Sequence, residues 1–139
     1  MKSIAGFQNV SLVFPDGVKK GSLSLKGDSI ASFEAPKDGI TLPEGLFVAP
    51  GFIDEHIHGA NGFDTMDAKI ESLQGISLAL PQEGVTSWHA TTMTMGLPSI
   101  EAALRTIASY MKEDHPGARV IGAHLEGPFI SPKHPGAQD

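Results

Sequence analysis

An α/β fold in two units, a small antiparallel β unit followed by a parallel βαβαβ unit, is predicted by three features of the chain. Residues 1 to about 45 carry short alternating segments, Val10 to Phe14, Ser22 to Leu25 and Ser29 to Phe33. These are parted by the turn signals Pro15-Asp16-Gly17 and Lys26-Gly27-Asp28, the pattern of consecutive antiparallel strands. From residue 46 the rhythm changes, and apolar strand-like runs recur at Phe47 to His58, Val85 to Thr92 and Arg119 to Glu126. Two segments of helical period separate those runs, and strands alternating with helices build a parallel sheet. The division between the units is placed at the turn Pro43-Glu44-Gly45.

The first helix is expected over about Asp67 to Gln82, with Ile70, Leu73, Ser77 and Leu80 along its inward stripe and Gly84 suited to its end. Pro81 blurs that boundary, because it lacks an N–H to donate. The second is expected over about Pro98 to Lys112, opening on a proline and burying Ile100, Leu104, Ile107 and Met111, and His115-Pro116-Gly117 stops it.

Composition bounds the function. With 40% hydrophobic and 19% charged residues in 139, the chain has the make-up of a soluble globular protein with one ordinary core. A formal charge of -6 and no Lys/Arg cluster exclude a duplex-binding surface as the natural reading. Zero cysteines exclude disulfides and thiolate sites, so any metal must be held by His and carboxylate. No apolar run of signal-peptide or membrane-spanning length is present, and a cytoplasmic, unanchored protein is expected.

Chemistry concentrates at two strand ends. In Asp54-Glu55-His56-Ile57-His58, strand alternation is expected to put Asp54, His56 and His58 on one side and Ile53, Glu55 and Ile57 on the other. Two imidazoles then converge on one point, and Asp54 is placed to brace one of them. Such a pair standing alone can equally be two strand histidines capping a core. Here an apolar run leads in and glycine leads out, at the strand-to-loop junction where α/β folds keep their active sites. The second segment, Val120 to Phe129, is expected to put Val120, Gly122, His124 and Glu126 on one face and Ile121, Ala123 and Leu125 toward the helices. A carboxylate ending an inward row is costly to bury unless it meets a cation, which makes Glu126 a candidate metal ligand. The alternative is a solvated Glu126 at a loop edge.

Other constellations are weaker. Gly75-Ile76-Ser77-Leu78-Ala79 lies within a helical period rather than on a strand-turn-helix elbow. Asp54 and Glu55 point apart on a strand, which does not suit a glycosidase pair. Gly59-Ala60-Asn61-Gly62 fits no phosphate-cradling pattern and reads as an active-site loop or a plain turn. His89, His115 and His134 are left outside the metal site.

Ala49-Pro50-Gly51-Phe52-Ile53-Asp54-Glu55-His56-Ile57-His58 resembles the first barrel strand of amidohydrolases in general. The segment from His124-Leu125-Glu126-Gly127-Pro128-Phe129 through Gly136-Ala137-Gln138 resembles a narrower signature, that of N-acetylglucosamine-6-phosphate deacetylases. The resemblance implies residues 1–45 as half of a small β-sandwich domain and residues 46–139 as the first three strands of a TIM-type (β/α)8 barrel. A chain of this length would then be the N-terminal part of such an enzyme and inactive alone.

The implied activity is metal-dependent hydrolysis of the N-acetyl amide of N-acetylglucosamine 6-phosphate to glucosamine 6-phosphate and acetate. Implied site residues are Glu126, His56 and His58 as metal ligands, with Glu126 bridging two ions, and Ala137 at the substrate. Zinc is favoured, with iron close behind, as one or two ions. The family often has His where Gln138 stands, which leaves the contact made there open. The general acid/base aspartate, two further histidines and the phosphate contacts are expected beyond residue 139, and a homodimer is expected to complete the phosphate site. Two other readings stay open: a different amidohydrolase, acting on a cyclic amide or another N-acyl amino sugar, and a non-catalytic fragment that folds only with another chain.

Overall fold

The computed structural model describes residues 4–27, 29–136 and 138. The chain divides into two compact units, Met1–Pro50 and Gly51–Asp139.

The first unit is a five-stranded sheet. Strands β1 (Gly6–Phe14), β2 (Gly17–Lys26) and β3 (Ser29–Ser32) pair antiparallel in sequence order. The β1–β2 hairpin closes tightly, Phe14 standing opposite Gly17 with Pro15 and Asp16 as its two turn residues. Two short strands, β4 (Ile40–Thr41) and β5 (Phe47–Val48), add to β1 in parallel. The sheet is therefore mixed rather than purely antiparallel as expected, because two-residue strands are too short to carry a periodic signal. Asn9, at a φ of 52°, sits where the β1–β2 register slips between Phe7 and Val10. Its small polar side chain tolerates that left-handed bulge. Val10, Leu12 and Leu23 form the buried core of the unit.

The second unit opens on β6 (Phe52–Ile57), so the expected single run from Phe47 to His58 is two strands in two sheets. Pro50, with no N–H to offer a ladder, parts them. Beyond β6 come β7 (Gly59–Ala60) and β8 (Phe63–Asp64), a hairpin over Asn61 and Gly62 at φ 53° and 80°. Gly59 to Gly62 is thus the first strand of the hairpin and its two-residue Asn-Gly turn, both turn residues at positive φ.

A 3₁₀ turn over Thr65–Asp67 precedes helix α1 (Ile70–Ala79), and Ala68, left-handed at φ 53°, separates them. Asp64 caps that turn, accepting from Met66 N–H at 2.7 Å, while Asp67 accepts from Asp64 N–H at 3.1 Å and from the Ser72 hydroxyl at 2.7 Å. The helix expected from Asp67 therefore begins three residues later. At its other end a second 3₁₀ turn, Leu80–Glu83, carries Pro81, and Gly84 closes it at φ 79°.

Strand β9 (Val85–Thr91), helix α2 (Leu97–Tyr110) and β10 (Arg119–His124) complete the βαβαβ order. The three parallel strands form an open sheet with β9 in the centre, between β6 and β10. The main core comprises Leu73, Ile76, Leu80, Trp88, Ala90, Ile107, Tyr110, Ala118 and Val120. Ser77 is buried but is no nucleophile: its Oγ accepts from Trp88 Nε1–H at 3.2 Å. The buried stripe of α2 runs through Ile100, Ala103, Ile107 and Tyr110. Of the residues expected inside, Met111 is exposed, as is Ile70 on α1. Close packing of the second crossover depends on Gly117, where a Cβ would stand 2.2 Å from the Ser77 carbonyl oxygen. Among the described residues no helix is long and apolar enough to cross a membrane.

Candidate metal centre

Both motif strands depart from the alternation expected of them, and the departures aim the site. Along β10, Val120 stands opposite Trp88 and Gly122 opposite His89, so Ile121 is an extra residue on its strand. Val120 consequently packs in the helix-side core rather than beside Gly122 and His124, and Ile121 is exposed. Past the bulge, a Cβ on Gly122 would meet the His89 ring at 2.8 Å, which places Gly122 on the His89 side of the sheet. Along β6, Asp54 stands opposite Trp88 and Ile57 opposite Ala90, three steps against two. Glu55 and His56 then line the same open depression of about 450 Å³, together with His89, Ala123 and His124. Ile53, expected on the same side as Ile57, is 60% exposed while Ile57 packs against the core.

His56, His58 and Glu126 meet. His56 Nε2 lies 2.7 Å and His58 Nε2 3.2 Å from Glu126 Oε2, and the two ring nitrogens lie 3.3 Å apart. One donor atom from each residue falls within 4.8 Å of the other two. His58 Nδ1 lies 3.3 Å from the Thr91 carbonyl oxygen, which can only accept, so its proton belongs on Nδ1 and the Nε2 lone pair faces the cluster. Asp54 braces the histidine pair through the main chain, accepting from the His56 backbone N–H at 3.0 Å, and not through an imidazole.

Glu126 follows β10 and is anchored across to the end of β9. Its backbone N–H donates to Thr92 Oγ1 at 3.2 Å, and the Thr92 hydroxyl donates to its carbonyl at 3.4 Å. Gln138 Nε2 donates to Glu126 Oε1 at 2.5 Å, and Gln138 Oε1 accepts from Thr94 N–H at 2.8 Å. Sequence reasoning missed Thr91, Thr92 and Thr94. Their signal was positional: they stand at the end of the strand lying between the two motif strands.

His124 lies beside this cluster, its ring edge-on to His56 at 4.6 Å and its Nδ1 3.4 Å from Thr91 Oγ1. His115 is elsewhere, stacked on Tyr110 at 3.7 Å, and His134 sits in a turn where its N–H donates to the Ser131 carbonyl at 3.0 Å. Ala137 and the turn residue Asp28 lie outside the described residues.

No family model matches the chain. A relative from Bacillus subtilis (strain 168), an N-acetylglucosamine-6-phosphate deacetylase, is 41% identical over 130 residues, which cover 87% of this chain and 33% of the relative. The chain resembles the N-acetylglucosamine-6-phosphate deacetylases. The crystal structure of such a deacetylase from Thermotoga maritima superposes with a TM-score of 0.80 at 33% identity, covering 96% of this chain and 35% of that one. An N-acetylgalactosamine-6-phosphate deacetylase from Escherichia coli O157:H7 is 39% identical, over 83% of this chain and 30% of its own. The chain spans about a third of the length of these deacetylases.

Proposed function

We propose that the chain supplies metal-binding elements of a deacetylase that hydrolyses the N-acetyl amide of N-acetylglucosamine 6-phosphate, giving glucosamine 6-phosphate and acetate. The observation that carries this reading is the meeting of His56, His58 and Glu126 at the ends of two strands of one parallel sheet. Two imidazole nitrogens and a carboxylate oxygen are a fitting donor set for a borderline-hard divalent ion, zinc first and iron second, as one or two ions. When bound, such an ion supplies a Lewis acid and lowers the pKa of water toward neutrality.

The chain's own residues do the positioning. Thr91 holds the His58 tautomer, Asp54 holds the backbone at His56, and Thr92 holds the backbone at Glu126. The open depression beside the cluster, lined by His89 and His124, is where the acetamido end of a substrate would approach. In this reading the first unit, Met1–Pro50, belongs to a small β-sandwich domain and the second, Gly51–Asp139, to the first three strands of a (β/α)8 barrel; the boundary lies past the expected residue 45 because β5 pairs with β1. Ala137 contacts the substrate through its backbone, and the cytoplasmic protein works as a homodimer.

Two relatives of nearly equal identity name epimeric sugars, so N-acetylgalactosamine 6-phosphate is the second substrate to test. The test measures metal content and acetate release in the full-length protein, with both phosphosugars, unphosphorylated N-acetylglucosamine and hydantoin as substrates. Metal-dependent release from the first phosphosugar bears the reading out. Preference for its epimer redirects the substrate, turnover of hydantoin points to a cyclic-amide hydrolase, and a protein that neither holds metal nor releases acetate sinks the proposal.

A further inference from the structure

We propose that Gln138 is a positioning residue that commits Glu126 to present one carboxylate oxygen, Oε2, to the metal. The inference rests on the metal centre proposed above and goes beyond its ligand set. Gln138 reaches Glu126 from twelve residues further along the chain, and its Nε2 donates to Oε1 at 2.5 Å. Oε2 faces both histidines.

The orientation of the amide is not free. Its Oε1 accepts from Thr94 N–H at 2.8 Å. A flipped amide would set an NH2 group against the Thr94 N–H and a carbonyl oxygen against the carboxylate, two repulsive contacts in place of two hydrogen bonds. The Thr94 backbone thus aims the donor end of Gln138 at Glu126. Being neutral, the amide satisfies one oxygen of Glu126 without competing for its charge. A Lys or Arg there would form an ion pair and draw the carboxylate from the metal. With its backbone held by Thr92 and Oε1 held by Gln138, Glu126 is fixed at both ends before any ion arrives. This arrangement bears on the expectation that Glu126 bridges two ions, since a bridge using both oxygens would have to share Oε1 with the Gln138 N–H.

The test compares Gln138→Met, of similar length but with no N–H or carbonyl, with the parent full-length protein. Three quantities are read: the dissociation constant for Zn²⁺ by competition with a chromophoric chelator, the visible spectrum of the Co²⁺-loaded protein, and the denaturation midpoint of the metal-free protein. The expected result is Zn²⁺ binding weaker by about 10–100-fold, as for other partners of metal ligands. The Co²⁺ spectrum changes because the carboxylate is released to bind through both oxygens, and the metal-free midpoint moves little.

Gln138→Asn, which keeps the amide but falls one methylene short, is expected to show the same loss, and it carries the test should the Met variant fail to fold. Unchanged affinity and spectrum overturn the proposal, as does a drop in metal-free stability with no change in affinity. His56→Ala, measured in parallel, separates the two levels. If it loses Zn²⁺ while the Gln138 variants keep it, the positioning role alone is wrong. If it binds Zn²⁺ like the parent, the metal centre itself is wrong and this inference falls with it.

Discussion

The arm of the site borne on β10 and the arm borne on β6 are held in different ways. Glu126, 24% exposed, is tied by hydrogen bonds to Thr92 and Gln138. His56, 52% exposed, has its backbone N–H held by Asp54 and its ring against those of His58 and His124, while the ring of His58, 32% exposed, is fixed by one carbonyl. The carboxylate is the member most costly to misplace, because its charge must be either solvated or paired. The more open imidazoles lose less by staying in water until an ion gathers them.

The sharpest break of that comparison is Glu126→Ala, which removes the only anionic member of the cluster. Metal binding in the full-length protein is expected to weaken by about 100-fold or more, beyond the range that supporting partners alone command, as read by metal content after dialysis. Next, His58→Ala should cost more affinity than His56→Ala, because the Thr91 carbonyl orients His58 in advance. Equal losses in the chelator competition would mean that preorganisation of the β6 arm contributes nothing.

Thr92→Val tests the β10 arm without touching a ligand. It strips the acceptor from the Glu126 N–H beside a residue with 0% exposure, and an unsatisfied buried donor costs about 1–3 kcal/mol. Urea denaturation of the metal-free protein measures it, and a change below about 0.5 kcal/mol, within the range of ordinary surface substitutions, would show that water replaces the hydroxyl there.

The smallest effect belongs to the turn that follows the β6 arm. The Ser72 hydroxyl first, and then the Asp64 N–H, hold the Asp67 carboxyl below its ordinary value of 3.8. The contribution of a depressed carboxylate is complete above its unfolded pKa and is lost as pH falls through the folded one. The denaturation midpoint should therefore fall as the pH drops below about 4, by less in Asp67→Asn than in the parent.

The candidate ligands were legible because residue type survives a local irregularity that side-chain parity does not. His56, His58 and Glu126 could be picked from their chemistry and their place at strand ends, and they do meet. The side each neighbour would take was read from strict alternation, which the extra residue at Ile121 reverses for Val120 and the β6 bulge spoils for Ile53. Likewise Ala68 ends a turn in a left-handed conformation for which its side chain gives no warning. Gln138 was visible as a departure from the family's pattern, yet its contact with Glu126 spans a loop that no local rule describes. The core stripe on α2 was shifted for a simpler reason: Ala103 and Tyr110 pass as neutral in a hydrophobic pattern, and Met111 passes as apolar.

Trp88 has a further use. It is the chain's only tryptophan, it is fully buried under the helices of the second unit, and the only tyrosine, Tyr110, shares that core. The first unit carries neither. Intrinsic fluorescence of this chain therefore reports the packing of helices on the parallel sheet and is blind to the small mixed sheet, so an emission trace and a far-ultraviolet dichroism trace that part company during unfolding would show the two units letting go at different points.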